Sequence, residues 1–364
     1  MKIAIRVDSA TMIGSGHLMR CLTLAERLKK AGADILFICR KFPGDMIELI
    51  VKRNFRVQVL PFATYPSVDS VGDFIATLKK DIETDRKYTQ DVLMQYGLFD
   101  WVVVDHYALD REWEWGIREC TEKIWVIDDL ANRFHDCDVL LDQNYQFGQV
   151  ERYKGLVPQF CKTLLGPKYL LLREEFLKNQ HHKHLHSGIV ERIQIFFGGS
   201  DPTGETLKAL EAIELLNRPD IHVDVIVGQA NPKKEEIRAY CSNLLNVKYY
   251  CQVDNMAELM MKADLAIGAG GSTTWERCFV GLPALIIIVA DNQRTENEVL
   301  AATGAFINLG WYRDINVMDI ADSIKKIIGQ PDLLKDMSNR AKKLVGKTDT
   351  SDWKDNLTPE FWRR

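Results

Sequence analysis

A chain of 364 residues is more than twice the usual domain length of about 100 to 150, so two domains, each with its own core, are expected. Hydrophobic residues at 46% and charged residues at 27% exclude a mostly disordered chain, and 23 glycines with 11 prolines exclude a fibrous one. The formal net charge of −4 gives no global attraction to a phosphate backbone, so no nucleic-acid partner is expected and any anion site must be local.

Short β-branched or aromatic runs alternate with amphipathic helical patterns from end to end, which predicts an α/β protein with parallel sheets. In the first half, strands are expected at Ile3 to Asp8, Asp34 to Arg40, Val57 to Leu60, Trp101 to Asp105, Ile124 to Asp128, Val139 to Asp142 and Thr163 to Leu165. The helix after the first strand is the clearest. Leu18, Cys21, Leu22, Ala25 and Leu28 share one face, charged residues occupy the rest, and Gly32 stops it.

The apolar pattern lapses after Phe176 into a polar stretch, residues 178–188, that carries His181, His182, His184 and His186; residues 179–190 are read as a linker between domains 1–178 and 191–345. The alternation then restarts. Strands are expected at Ile193 to Phe197, His222 to Val227, Val247 to Cys251, Leu265 to Gly268 and Ala284 to Val289, with helices starting near Gly204, Pro232, Met256, Ser272 and Arg294. Two closing helices start at Val317 and Pro331, and residues 346–364 form a polar tail with two tryptophans. Two Rossmann-like, doubly wound domains imply an inter-domain cleft, and ligands in such sheets bind at the carboxyl ends of the strands.

The eight cysteines form no C-x-x-C pair and several sit inside apolar runs, which favours reduced, buried thiols over disulfides. Met1-Lys2-Ile3-Ala4-Ile5-Arg6 is too quickly interrupted by charge for a signal peptide. The longest uncharged apolar run, Leu282 to Ala290, is about half of a membrane span. A cytoplasmic protein with no membrane insertion is expected.

Four turns carry the chemistry. After the first strand comes Asp8-Ser9-Ala10-Thr11-Met12-Ile13-Gly14-Ser15-Gly16-His17, in which Gly14 and Gly16 lead into a helix N-terminus suited to an anion or an electron-rich group. The dinucleotide fingerprint is absent, because the position that would need its third glycine holds Met19. His17 lies in the first helical turn, where the dipole disfavours the imidazolium and leaves a neutral ring suited to a general base; a mere capping role fits the position equally well.

Past the linker, Gly198-Gly199-Ser200-Asp201-Pro202 forms a second glycine turn, with Asp201 placed to cap the next helix and Pro202 in its first turn. The third turn is more specific. In Gly268-Ala269-Gly270-Gly271-Ser272-Thr273-Thr274-Trp275-Glu276-Arg277 a strand runs into three glycines and two hydroxyls at a helix start, where amides converge as a diphosphate requires. The lysine of a Walker loop is missing, and Glu276 lies one turn further in, at a distance suited to ribose hydroxyls. The fourth, Asp291-Asn292-Gln293, places amide side chains at a strand's carboxyl end. His135-Asp136-Cys137-Asp138 resembles an Asp-x-Asp metal motif, but it precedes a strand and no metal is expected there or at the linker histidines. Asp105-His106-Tyr107 and Asp128-Asp129 end two strands and are placed to line the same cleft.

In this order the segments resemble the sugar-nucleotide hydrolases of pseudaminic acid biosynthesis, which release UDP from UDP-2,4-diacetamido-2,4,6-trideoxy-β-L-altropyranose. The likeness rests on R-V-D-S-x-x-x-I-G-S-G-H-L-M-R-C at the start, V-V-D-H-Y at 103–107, I-D-D-L-A-N-R at 127–133 and L-L-G-P-K-Y-L-L-L-R-E-E-F at 164–176. It continues through F-G-G-S-D-P at 197–202, G-A-G-G-S-T-T-W-E-R-C at 268–278 and D-N-Q at 291–293. The second half alone is also similar to the N-acetylglucosaminyltransferases of peptidoglycan synthesis.

The resemblance implies the two-domain GT-B fold, a UDP-linked diacetamido sugar as substrate, and no metal or other cofactor. It implies His17 as the base that deprotonates the attacking water, Glu276 as the ribose ligand, and Ser272 and Thr273 with their amides as holders of the diphosphate. Gly14, Gly16, Arg20, Tyr107, Arg173, Gly271 and Asn292 are the further expected substrate contacts, in a monomer. A GT-B glycosyltransferase using a UDP-amino-sugar donor is the alternative, and a non-catalytic UDP-sugar-binding module is a third. The histidine-bearing linker and the tail match nothing in the family's pattern.

Overall fold

The computed structural model describes residues 1–61, 70–145, 151–178 and 187–346, with the side chain of Asn292 also left out. Two compact units form, one running from Met1 to Leu171 and the other beginning at Leu172. Leu172 to Lys178, which the sequence pattern joins to the first domain, therefore packs with the second unit. The linker histidines His181, His182, His184 and His186, and residues 347–364 of the tail, lie outside the described residues.

The first unit contains strands β1 (Lys2–Val7), β2 (Asp34–Arg40), β3 (Arg56–Leu60), β4 (Phe99–Asp105), β5 (Thr121–Ile127), β6 (Val139–Asp142) and β7 (Lys162–Leu165). Its helices are α1 (Gly16–Lys30), α2 (Ile47–Lys52), α3 (Val71–Lys80), α4 (Ile82–Tyr96) and α5 (Arg111–Gly116). The strands pair in parallel in the order β3-β2-β1-β4-β5-β6-β7. A parallel sheet is covered on both faces, which is why its strands read as nearly continuous apolar runs. Ile3, Ile5 and Val7 of β1 join Leu18, Leu22 and Ala25 of α1 on one face. Ala4, Val102 and Val104 pack with Leu93 and Trp113 on the other. Each fully buried Ile, Leu or Val of these layers contributes about 1.5–3 kcal/mol.

The second unit contains α6 (Glu174–Lys178), then strands β8 (Arg192–Phe196), β9 (His222–Val227), β10 (Val247–Cys251), β11 (Leu265–Ala269), β12 (Ala284–Ile288) and β13 (Ile307–Trp311). They pair in parallel as β10-β9-β8-β11-β12-β13. The remaining helices are α7 (Glu205–Leu216), α8 (Lys234–Ser242), α9 (Met256–Lys262), α10 (Thr273–Val280), α11 (Arg294–Ala301), α12 (Val317–Ile328) and α13 (Pro331–Val345).

Strand β13 is absent from the sequence-based expectation because nothing in Ile307-Asn308-Leu309-Gly310-Trp311 alternates: it is an edge strand, half-buried throughout, with its register shifted opposite Ile286 and Ile287. Helix α7 begins at Glu205, so Pro202 lies before its first turn, while Asp201 caps it as expected, accepting from the amides of Glu205 and Thr206 at 3.0 and 2.9 Å. The cysteines among the described residues are free thiols, with Cys161 and Cys251 half-buried and the other six buried. Among the described residues no helix is long and apolar enough to cross a membrane.

In both sheets the chain doubles back at one point. The strand order reverses between β1 and β4 in the first unit and between β8 and β11 in the second. Val7 pairs with Asp105 and Phe196 with Gly268, so the segments that follow β1 and β8 emerge beside the carboxyl ends of β4 and β11. Those two edges are where a doubly wound sheet offers a ligand unpaired backbone and side chains.

Candidate active site

In the first unit the chain leaves β1 through a tight turn in which the Gly14 amide donates to the Ala10 carbonyl at 2.8 Å and Gly14 takes φ +72°, a conformation that favours glycine. Helix α1 then starts at Gly16 and buries His17. His17 Nδ1 lies 2.5 Å from Asp105 Oδ1 at the end of β4. Arg20, one turn further along α1, clamps the same carboxylate with Nε to Oδ2 and Nη2 to Oδ1, both at 2.6 Å, and reaches Asp129 with Nη1 at 2.8 Å. Burial alone would raise the Asp105 pKa, but Arg20 and then His17 outweigh it and hold the carboxyl well below the usual range.

An ionised Asp105 accepts only, so the neutral His17 ring carries its proton on Nδ1 and its lone pair on Nε2. Arg20 Nη2 also lies 3.1 Å from His17 Nδ1, but it already donates to Asp105 at the shorter distance, and two donors do not bond each other. Tyr107 sets its ring edge-on to His17, centroids 4.4 Å apart, and fixes the imidazole plane. A pocket beside this pair is lined by Asp8, Ile13, His17, Asp105, His106 and Tyr107.

A second histidine–aspartate pair flanks the first. His106 Nδ1 accepts from the Ala108 amide at 3.1 Å, which leaves its proton on Nε2, directed at Asp8 Oδ2 at 3.1 Å. Burial lowers the His106 pKa. Asp8 in turn receives both terminal nitrogens of Arg6, at 2.6 and 2.8 Å, and the Arg40 amide at 2.7 Å.

Behind Asp129 lies a further acidic group. Asp142, at the end of β6, accepts from Tyr153 Oη at 3.1 Å and faces Arg152 at 3.4 Å. Burial pushes its carboxyl up to about 7, against the pull of Arg152. His135 goes the other way. Its Nδ1 meets Glu114 at 2.6 Å and Asp128 faces its Nε2 at 3.8 Å, so despite burial the imidazolium is favoured and the pKa rises to about 9. The acids of the Asp-x-Asp segment, Asp136 and Asp138, both hold Arg118, at 2.9 and 2.6 Å. Among the described residues no group of three or more metal-ligating side chains forms.

In the second unit β11 runs into the glycine-rich turn and α10 follows. Two of its three glycines are fixed by packing. A Cβ on Gly268 would lie 2.4 Å from the Phe196 carbonyl oxygen, and one on Gly270 would lie 2.2 Å from Asn297 Nδ2. At Gly271 the nearest atom is Gln293 Nε2 at 3.5 Å, an ordinary contact, so packing does not require that glycine. Among the described residues the amides of Gly271, Ser272 and Thr273 donate to no carbonyl, and the Thr274 amide closes the turn onto Gly271 at 2.8 Å. Three open donors at a helix N-terminus form an anion nest. Glu276, one turn further, is held by Arg173 through Nε at 2.7 Å and Nη2 at 2.9 Å, and Arg173 Nη1 also meets Glu175 at 2.8 Å.

The structure thus brings His17, Arg20 and Tyr107 together beside the Gly14–Gly16 turn in one unit, and Gly271, Ser272, Thr273, Glu276 and Arg173 together in the other. Arg20 and Arg173 each have all three guanidinium nitrogens on carboxylates, so in this state both position acids. Asn292 belongs to the short turn Asp291–Gln293, and its side chain lies outside the described residues. Sequence reasoning placed Asp105 at a strand end without pairing it to His17, and it passed over Arg6, Asp8 and Arg277. An acidic residue closing the run Val102-Val103-Val104 was the available signal for Asp105.

Two parallel doubly wound sheets, each with its open turn at the strand-order reversal, define the GT-B fold. Acinetobacter baumannii MurG shares it, with a TM-score of 0.59 at 14% identity over 94% of each chain. Residues 195–352 match the glycosyltransferase family 28 C-terminal domain. Over most of its length the chain resembles the UDP-2,4-diacetamido-2,4,6-trideoxy-β-L-altropyranose hydrolase of Campylobacter jejuni, 26% identical over 309 residues that span 84% of this chain and 97% of the relative. It is also 30% identical over 309 residues to an uncharacterized protein of Methanocaldococcus jannaschii, covering 81% of this chain but only 57% of that longer relative.

Proposed function

We propose that the protein is a UDP-sugar hydrolase that releases UDP from UDP-2,4-diacetamido-2,4,6-trideoxy-β-L-altropyranose by attack of water on the anomeric carbon, as a step of pseudaminic acid biosynthesis. The observation that carries the reading is the His17–Asp105 contact, which leaves the Nε2 lone pair without a hydrogen-bond partner among the described residues. Nε2 takes a proton from water as the water oxygen bonds to the anomeric carbon, and the bond from that carbon to the UDP oxygen breaks. Asp105 stabilises the imidazolium that forms. The departing diphosphate gains negative charge, which the amides of Gly271, Ser272 and Thr273 and the N-terminus of α10 accept. Glu276 takes the ribose hydroxyls, with Arg173 fixing its carboxylate plane. The similarity to the Campylobacter hydrolase along 97% of that enzyme supports this substrate.

The test is UDP release from that sugar nucleotide with EDTA present and no acceptor, wild type against His17→Ala. Release by the wild type that falls about a hundredfold or more in the variant is the expected result. The match to a glycosyltransferase family 28 domain favours one second reading, a GT-B transferase with a UDP-amino-sugar donor. Release that appears only when an acceptor alcohol is added would establish that reading and overturn the hydrolase.

A further inference from the structure

Among the described residues Arg277 is a buried cation without a carboxylate partner. Arg6, Arg40 and Arg277 are among the largest side chains sealed in the interior. Arg6 is neutralised by Asp8 and Asp85, and Arg40 by Asp81 and Asp85. Arg277 forms no ion pair among the described residues. Its Nη2 donates to the Ala269 carbonyl at 2.5 Å and to Thr274 Oγ1 at 3.0 Å, while its Nε is buried with no acceptor. Burial pulls its pKa down to about 10, against smaller opposing effects of Cys278 and Glu276, so the group is still charged at neutral pH. A buried charge with no partner is among the costlier features of a fold, and it persists where something outside the fold supplies the counter-charge.

The place of that charge says what supplies it. Nη1 sits where Gly268 has no side chain, at 2.7 Å from the position a Cβ would take, and Nη2 grips the carbonyl of Ala269. The guanidinium therefore lies under the first two residues of the glycine-rich turn, and the open amides of Gly271, Ser272 and Thr273 follow directly. Glu276, the nearest acid along the helix, is held by Arg173 instead.

We propose that Arg277 is a positioning residue that charges the glycine-rich turn for a diphosphate, acting from beneath the backbone without touching the ligand. This rests on the UDP-sugar reading above and extends it to a residue that reading does not use. The anion on the amide nest is the missing counter-charge.

The experiment titrates wild type, Arg277→Lys and Arg277→Gln by calorimetry with UDP, uridine and inorganic pyrophosphate, with Tm recorded for each protein. Arg277→Gln is expected to weaken UDP and pyrophosphate about tenfold to a hundredfold and to leave uridine unchanged, because only the phosphates carry charge. Arg277→Lys keeps the charge while losing the fork to Ala269 and Thr274, and it is expected to stay within a few-fold of wild type for UDP. Equal losses of UDP and uridine in Arg277→Gln would show a purely structural pin and overturn the proposal. If Arg277→Gln fails to fold, Arg277→Lys decides: a folded lysine variant as weak for pyrophosphate as a charge deletion would be overturns it. Wild type that binds pyrophosphate and not UDP refutes the UDP-sugar reading alone; wild type that binds neither refutes both.

Discussion

Replacing Asp105 by asparagine tests the proposed base without changing the shape of the site. The carboxylate accepts four contacts: His17 Nδ1 at 2.5 Å, Arg20 Nη2 and Nε at 2.6 Å each, and Cys21 Sγ at 3.4 Å. An amide accepts on one side only. If its NH2 takes the place of Oδ1, it faces His17 and turns the ring into the tautomer with Nε2 protonated, which removes the base. If it takes the place of Oδ2, it sets an N–H against Arg20 Nε. In both cases the charge that stabilises an imidazolium is gone. An Asp→Asn change that inverts such a tautomer costs about 10⁴ in kcat in serine proteases, and a fall of about 10³ to 10⁴, or 4–5.5 kcal/mol, is expected here with KM little changed. Arg20 keeps Asp129 as a partner, so the stability cost should be about 3 kcal/mol and the Tm shift about 6–12 °C for a unit of this size. Because the folded pKa of Asp105 is depressed, the stability it contributes is present above the unfolded carboxylate pKa and is lost as pH falls through the folded value. The assay is UDP release well below the variant's Tm. A kcat within tenfold of wild type would refute the assignment of His17 Nε2 as the base.

Two buried groups give the fold a slope against pH. Asp142, pushed up to about 7, keeps its proton in the folded state where the unfolded chain has lost it, so stability falls as pH rises from about 4 to about 7, by up to about 1.4 kcal/mol per unit. Asp142→Asn should lie close to wild type at about pH 4 and exceed it in thermal unfolding by a margin that grows up to about pH 7 and persists at about pH 8; the opposite order would mean that Arg152 holds an ionised Asp142. His135, raised to about 9, contributes stability that is complete below about 6.5 and is lost as pH rises through 9, and His135→Gln should flatten that limb of the Tm–pH curve. The glycine-rich turn separates packing from ligand: Gly270→Ala drives a methyl into Asn297 and should cost about 1–3 kcal/mol, whereas Gly271→Ala should leave stability within about 0.5 kcal/mol of wild type and weaken UDP. Tm and UDP titration of the two variants check this, and equal Tm losses would show that both glycines serve packing.

The sequence was informative where chemistry is local and silent where it depends on strand order. Most strands follow from apolar runs between turn residues, and β13 escaped because an edge strand half-buried throughout has no alternation to read. His17 stood out because a histidine in the first turn of a helix after a glycine turn is a local pattern. Its partner lies 88 positions away and becomes adjacent only because β1 pairs with β4. The three glycines before α10 looked alike in one dimension. Only packing separates Gly268, which faces a carbonyl of β8, and Gly270, which faces Asn297, from Gly271, which no neighbour constrains. Arg277 was invisible for the same reason, since its lack of an ion pair among the described residues is a fact of three dimensions.

Two histidines line the pocket of the first unit, and the hydrogen-bond inventory decides which of them can move a proton. A neutral imidazole has one donor and one acceptor nitrogen. In His106 both are committed: Nδ1 receives the Ala108 amide, and the proton on Nε2 goes to Asp8, which Arg6 already neutralises. Taking a further proton would break the bond from Ala108 and place a cation among Arg6 and Arg40, and burial opposes it as well. In His17 the carboxylate fixes the donor side and the acceptor side is open, so a gained proton makes an imidazolium already facing Asp105. An alcohol and a water molecule both present an O–H to such a base. On either proposed reading, hydrolase or transferase, the pair would be the proton acceptor, and the choice between them rests on whether an acceptor alcohol must occupy the pocket before UDP departs.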